Sequence, residues 1–340
     1  MEKINRFRIY IILLFVLVNV IHAEKLAVFK ENFATPFMAF SKEYIYIGDK
    51  GTFSINIYDR KNFSFVKKFG GKGEGPGQFM WIHSIYADQD ILYVSSSTKI
   101  SIFSKEGTLK KEIRLDPNSG NYLPFGRKFI SQTYLDGKTP GENYQIINLI
   151  GENGKKIKEF YSTPITTIWT FKEPKNDCRL IVDCVAYNVY DRKLYIGNTM
   201  KGFYFIIFNE NGEKISEINL PYEKKIIKTD EKDEYISRLV YWQGQNVKKK
   251  YNFVFPEYYP AFKSFQIVDD RIYIFLHNTH PMTNSEQQII ILDLQGKILK
   301  KVVSSLPLDG AFYISDRKFY YLTDNEKTEM WELHSIKIDN

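Results

Sequence analysis

From Lys25 onward the chain is written in short runs that alternate apolar and polar residues. A polar turn followed by an aromatic and β-branched run occurs six times, at Tyr44–Ile47, Ile91–Val94, Phe129–Ser131, Leu194–Ile196, Ile272–Ile274 and Phe319–Tyr321. Period-two alternation bounded by Gly, Asn, Asp and Lys predicts short β-strands. Tyr46, Tyr93, Tyr195, Tyr273 and Tyr320 recur within these runs, so most aromatic residues are predicted to be sheet core. Three runs follow an Asp-Arg pair: Asp191-Arg192, Asp270-Arg271 and Asp316-Arg317.

A second element follows most copies. It is a hairpin whose turn ends in glycine, at Phe103–Gly107, Ile150–Gly154, Phe208–Gly212 and Leu292–Gly296, with a looser version at Asp59–Phe63. Glycine in the last turn position suits the left-handed residue of a type I turn with a G1 bulge. The sixth unit has no such outer hairpin, because the chain ends just after the run Met330–Ile338. An unpaired outer edge invites aggregation. The segment Lys25–Phe33 is therefore predicted to be the missing strand and to close the ring. The fold class is all-β: a six-bladed β-propeller of four-stranded antiparallel blades over residues 24–340, with the N-terminal strand completing the last blade.

The stretch Phe69–Phe79, FGGKGEGPGQF, turns too sharply for a helix or a central strand and reads as the crossing from one blade to the next. It is not a phosphate loop, since Gly71-Lys72 is followed by Gly73 rather than Ser or Thr, and a strand follows instead of a helix. With Trp81–Ala87 and KISIFSKEG at Lys99–Gly107, it resembles an NHL-type repeat, in which a Gly-Pro-Gly-x-Phe linker precedes a blade. This match covers residues 69–115. The whole chain after residue 23 is similar to exported bacterial six-bladed propeller proteins. That resemblance implies fold more than activity, because the family holds binding modules, scaffolds and a few enzymes.

Departures from the repeat are where function is expected. The turn glycines Gly212 and Gly296 are spaced more widely than the others, which indicates a helical insertion at about 223–252. Within Thr229–Asn246, Tyr235, Ile236, Leu239, Val240 and Trp242 form a helical stripe, Thr229 or Asp230 can cap the start, and four acids suit its positive end. The aromatic run FVFPEYYPAF, Phe253–Phe262, follows. A shorter insertion, Thr163–Asp177, carries Trp169 and Pro174.

Composition adds limits. Residues 1–23 place Lys3, Arg6 and Arg8 before an apolar run, Ile9–Val18, and a short end at Ala23, the layout of a signal peptide cut after Ala23. The run is shorter than the roughly 20 residues of a spanning helix, so no transmembrane anchor is expected after cleavage. The reading is an exported protein, periplasmic or extracellular, and a monomer. Lys+Arg 47 against Asp+Glu 40 is a mild excess, and the run Lys248-Lys249-Lys250 lacks interleaved aromatics, so nucleic acid is not an expected partner. Cys178 and Cys184 form a disulfide only if Arg179–Asp183 turns; otherwise they are two thiols.

Catalytic constellations are thin. His277 and His280 could share Zn²⁺ from a loop, and Asp183 and Asn188 on inner strands could serve Ca²⁺, but no complete set is visible and no cofactor is expected. His83 and Ser84, adjacent on a strand, point to opposite faces. What remains are aromatic residues at blade entrances and insertions, Trp81, Trp169, Trp242, Tyr258 and Tyr259, with His83, Arg127 and Lys263 near the starts of strands, where they could add charge around a central mouth. They suit recognition of a protein or small ligand on the loop face. The expected function is a non-catalytic binding module or scaffold. The alternative is a propeller hydrolase or lyase using the central pocket, with or without a divalent cation.

Overall fold

The computed structural model describes residues 23–88, 90–115, 119–136, 143–165, 169–170, 176–277, 287–304 and 311–338. The leader expected at residues 1–23 therefore lies, apart from Ala23, outside the described residues. Among them no helix is long and apolar enough to cross a membrane.

Strand β1 (Glu24–Phe29) precedes six blades. Blade 1 is β2 (Pro36–Phe40), β3 (Tyr44–Asp49), β4 (Ser54–Asp59) and β5 (Phe65–Gly70); blade 2 is β6 (Ile82–Ala87), β7 (Ile91–Ser96), β8 (Lys99–Ser104) and β9 (Leu109–Arg114). Blade 3 is β10 (Ser119–Phe125), β11 (Lys128–Asp136), β12 (Asn143–Ile150) and β13 (Lys156–Ile165). Two strands, β14 (Trp169–Thr170) and β15 (Asn176–Arg179), lie before blade 4, which is β16 (Val185–Tyr190), β17 (Lys193–Asn198), β18 (Phe203–Phe208) and β19 (Lys214–Leu220). Helices α1 (Thr229–Gln243) and α2 (Asn246–Lys250) and strand β20 (Tyr251–Val254) precede blade 5, β21 (Ser264–Val268), β22 (Arg271–Phe275), β23 (Gln287–Asp293) and β24 (Ile298–Ser304). Blade 6 is β25 (Phe312–Ser315), β26 (Lys318–Asn325) and β27 (Met330–Lys337), completed by β1.

First strands of successive blades approach one another and line the inside of the ring. At the seam β1 pairs with β27 from Glu24 opposite Ser335 to Phe29 opposite Trp331. Phe29 and Phe33 are buried there among Phe40, Tyr58 and Leu333. The chain is a six-bladed β-propeller.

The turn glycines do two jobs. Gly107, Gly154, Gly212 and Gly296 all have φ between 76° and 89°, beside a register shift in the preceding strand, as a G1 bulge requires. Each also lies against the preceding blade: a Cβ on Gly154 would sit 2.2 Å from the Arg114 carbonyl oxygen. Lysines from outer strands cross the same gaps, with Lys67 Nζ donating to Gly107 O at 3.2 Å and Lys300 Nζ to Ile338 O at 3.0 Å. Lysine on an exposed outer strand also discourages edge pairing. The inner hairpins turn at Asp191-Arg192, Asp269-Asp270 and Asp316-Arg317, both residues of each pair having positive φ, the type I′ geometry that matches strand twist. In blade 5 the turn is thus one residue earlier than the Asp270-Arg271 pair suggests.

The glycine-rich crossing is tied down at both ends. Gly71 N donates to Phe53 O at 2.8 Å and Phe79 N to Gly71 O at 2.9 Å, which drops Phe79, fully buried, into the core between blades 1 and 2. Lys99 Nζ donates to Gly75 O at 2.8 Å and pairs with Glu112 at 2.7 Å; Glu112 also accepts from Gly77 N at 3.0 Å and Ser101 Oγ at 2.9 Å. This loop is a structural staple.

Three element boundaries differ from expectation. The inner strand of blade 4 begins at Val185, so Asp183, expected on an inner strand, lies in the connection before it. The helix ends at Gln243, where Gly244 (φ 80°) returns its N–H to Val240 O, and a separate turn of helix follows. Its N-cap is Lys228, whose N–H donates to the Glu231 carboxylate at 2.8 Å, rather than Thr229 or Asp230.

Candidate functional site

The two insertions, distant in sequence, meet. β15 and β20 pair in parallel, Asn176 opposite Tyr251 through Arg179 opposite Val254, and β14 adds an antiparallel third strand. Helices α1 and α2 lead directly into β20. The result is a small cap at the entrances of blades 4 and 5. Its stem closes on itself: Ile227 N donates to Glu257 O at 3.0 Å and Tyr259 N to Lys225 O at 2.9 Å, so the chain entering the insertion is clasped to the chain leaving it. Lys224 Nζ lies 5.3 Å from the Tyr258 ring centre and Lys225 Nζ 5.7 Å from that of Tyr259, which fixes both rings. Tyr259 is buried, and burial, with Tyr235 and Glu231 beside it, pushes its hydroxyl far above the usual range.

Beneath the clasp is a cavity of about 170 Å³, lined by Asp183, Thr199, Tyr222, Lys224, Glu257 and Tyr258 among others. Thr199 Oγ1 donates to Asp183 at 2.9 Å and accepts from Cys184 N at 2.9 Å. The Tyr222 hydroxyl donates to the Tyr259 carbonyl. Two carboxylates, one ammonium and two phenols offer recognition of a small mixed-charge group or of one side chain of a larger partner. They offer little reactivity. Cys178 and Cys184 are free thiols, so the unbonded alternative is the one observed; burial raises both, and Asp183 raises Cys184 further, away from thiolate.

The eight residues singled out in the sequence do not form one site. Tyr258, Tyr259 and Lys263 belong to the cap stem, and the backbones of Trp169 and Trp242 to the cap itself; the side chains of these two tryptophans lie outside the described residues. Trp81 and His83 stand at the entrance of blade 2, two blades from blade 4 and three from blade 5. Trp81 is 47% exposed and packs on Phe53 at 6.1 Å, and burial, then the Lys50 charge, lowers the proton affinity of His83. Arg127 lies just before the start of β11, in the turn Gly126-Arg127, and so at the end of the inner strand β10 away from the blade entrance. The sequence showed it only as a cation close to a strand start.

His277 is held neutral, its pKa lowered to about 4 by burial and by Lys263, and its ring lies 5.8 Å from that of Tyr259. His280 lies outside the described residues. Among the described residues no three His, Cys, Asp or Glu side chains gather where a metal ion would sit. The buried carboxylate of Asp49 accepts from Thr35 N at 2.8 Å, Thr52 Oγ1 at 2.8 Å and Gly51 N at 3.1 Å, a loop tie in blade 1.

No family model matches the chain, and no curated protein matches it. Solved structures do. A candidate exported protein of Bacteroides fragilis aligns over 94% of this chain and 95% of its own at TM-score 0.59 and 11% identity. A luciferin-regenerating enzyme aligns over 93% and 95% at TM-score 0.44 and 10% identity, and a Bacteroides caccae protein of unknown function over 86% and 90% at 0.40 and 10%. At these identities the likeness speaks to fold, and of these three the first alone is near enough to support it.

Proposed function

We propose that this is an exported, non-catalytic propeller that binds a protein or small ligand on the face carrying the cap. One observation carries the reading: two insertions from different blades pair into a single substructure on one face, which no blade needs for closure. A rigid ring with a built platform on one face is the arrangement expected of a recognition surface. The ionisable groups favour binding over chemistry, since Asp49 and Asp183 serve hydrogen bonds within loops and the thiols are held protonated. Export rests on the leader at residues 1–23, and the B. fragilis structure agrees with it.

The test is to replace residues 228–250 by a short Gly/Ser linker and compare retention of envelope-extract proteins and metabolites by the variant and the parent, with circular dichroism to verify the ring. A ligand retained by the parent and lost by the variant supports the reading. Identical retention by both rejects the cap as the site. Melting with EDTA and after restoring Ca²⁺ or Zn²⁺ tests the metal-dependent form of the enzyme alternative, which requires a reversible shift.

A further inference from the structure

A cavity larger than the one at the cap lies elsewhere on the ring. A groove of about 540 Å³ opens between blades 2 and 3, lined by Arg114, Thr133, Tyr134, Leu135, Asn148 and Lys155 among others. It is of the size that takes a small-molecule ligand. Strand register places Phe129, Ser131, Thr133 and Leu135 on one face of β11, opposite Ile150, Asn148, Ile146 and Tyr144 of β12. Phe129 and Ile150 pack on Ile100 and Ile113 of blade 2, so this face of blade 3 looks toward blade 2.

Close-packed apolar contact is expected between propeller blades, and here it stops partway. Beyond the Phe129–Ile150 pair the facing residues become polar: Ser131 and Asn148 are 0% and 2% exposed, and Asn148 Nδ2 donates to Thr133 Oγ1 at 2.9 Å. Ser131 Oγ, Asn148 Oδ1 and Ser95 Oγ of blade 2 are buried without a hydrogen-bond partner. Buried polar atoms are normally satisfied, so Asn148 Oδ1, the one of the three whose residue lines the groove, calls for ordered water or a ligand reaching it. At the rim stand two cations, Arg114 and Lys155, each exposed and without an ion-pair partner among the described residues; Lys156 beside them is paired with Glu159 at 3.4 Å. No acid is among the lining residues. Leu135, 53% exposed, adds an apolar flank, while the neighbouring Tyr134 points to the opposite face of β11.

We infer that this groove is a second ligand site, and that it takes an acidic sugar. The charged group of such a ligand meets Arg114 and Lys155, its hydroxyls meet Thr133, Asn148 and Asn153, and its apolar ring face lies on Leu135. Carboxylate and phosphate share this chemistry. The site is independent of the cap.

The experiment uses thermal unfolding and calorimetric titration of the purified protein with D-glucuronate, D-glucose 6-phosphate and D-glucose. At about 10 mM, roughly tenfold over a Kd near 1 mM, at least one acidic sugar raises the melting temperature and the neutral one does not. Whichever acid is stronger tells carboxylate from phosphate. Arg114→Glu and Lys155→Glu, both at exposed positions, each weaken binding by about tenfold or more, whereas Lys301→Glu on blade 5, an equal change of net charge, leaves it unchanged. The inference is overturned if neither acid shifts the melt, if glucose acts equally, or if Lys301→Glu has the same effect. Loss of binding on replacing residues 228–250 would place the site at the cap instead.

Discussion

Two connections make the same topological step, from an outer strand to the next inner strand. One is Gly71–Trp81 between blades 1 and 2; the other is Pro221–Lys263 between blades 4 and 5. The first is fully occupied with structure: it sinks Phe79, and the Lys99–Glu112 pair holds its backbone. The second closes its own stem at Lys225–Ile227 and Glu257–Tyr259, so whatever lies beyond that clasp is relieved of holding the ring together. The difference teaches that a glycine-rich route can be taken up wholly by packing and pairing between blades, and that function is sought where the route is long and separately clasped.

Disturbing the regular half should be costly. Removing β1 exposes the edge of β27 and uncovers Phe40 and Leu333, and the expected outcome is aggregation or loss of the cooperative melt, read by chromatography and calorimetry. Phe79→Ala should cost about 3–5 kcal/mol in denaturant unfolding, as a large fully buried aromatic. Glu112→Gln leaves Lys99 buried without its charge partner and should cost up to about 3 kcal/mol. Its pH dependence has a definite sign. Burial opposes ionisation of Glu112, yet Lys99, the Gly77 N–H and Ser101 outweigh it, and Asp49 is likewise lowered against burial by Thr35, Thr52 and Gly51. Carboxyls depressed in the folded state contribute stability that is fully present above their unfolded pKa of about 4 and lost as pH falls through the folded value. The melting temperature should therefore drop on acidification below about pH 5, and less steeply in Glu112→Gln and Asp49→Asn. Gly154→Ala should cost at least about 1 kcal/mol, from its φ of 79° and the nearby Arg114 carbonyl.

Six blades and the closing strand were legible because each is a local pattern: alternation, a glycine turn, a tyrosine in register. The pairing of β15 with β20 was not, since a parallel pair joined through a whole blade carries no turn signature. The inner strand of blade 3, Ser119–Phe125, was missed for lack of alternation in SGNYLPF. The groove between blades 2 and 3 was invisible for a related reason. Ser95, Ser131 and Asn148 are ordinary strand residues one at a time, and only inter-blade register brings them to one gap. Arg127 does lie beside a strand start, but a basic residue there gives no hint of which end of the ring it occupies.

The central claim, that the ring is scaffold and the cap is platform, is tested most directly by hydrogen exchange on the parent protein and on the variant with residues 228–250 replaced. The account predicts unchanged protection in β2–β9 and β21–β27, with faster exchange confined to β14, β15 and β20. Loss of protection in blades 4 and 5 as a whole would contradict it, and would make the cap part of the structure that holds the ring closed.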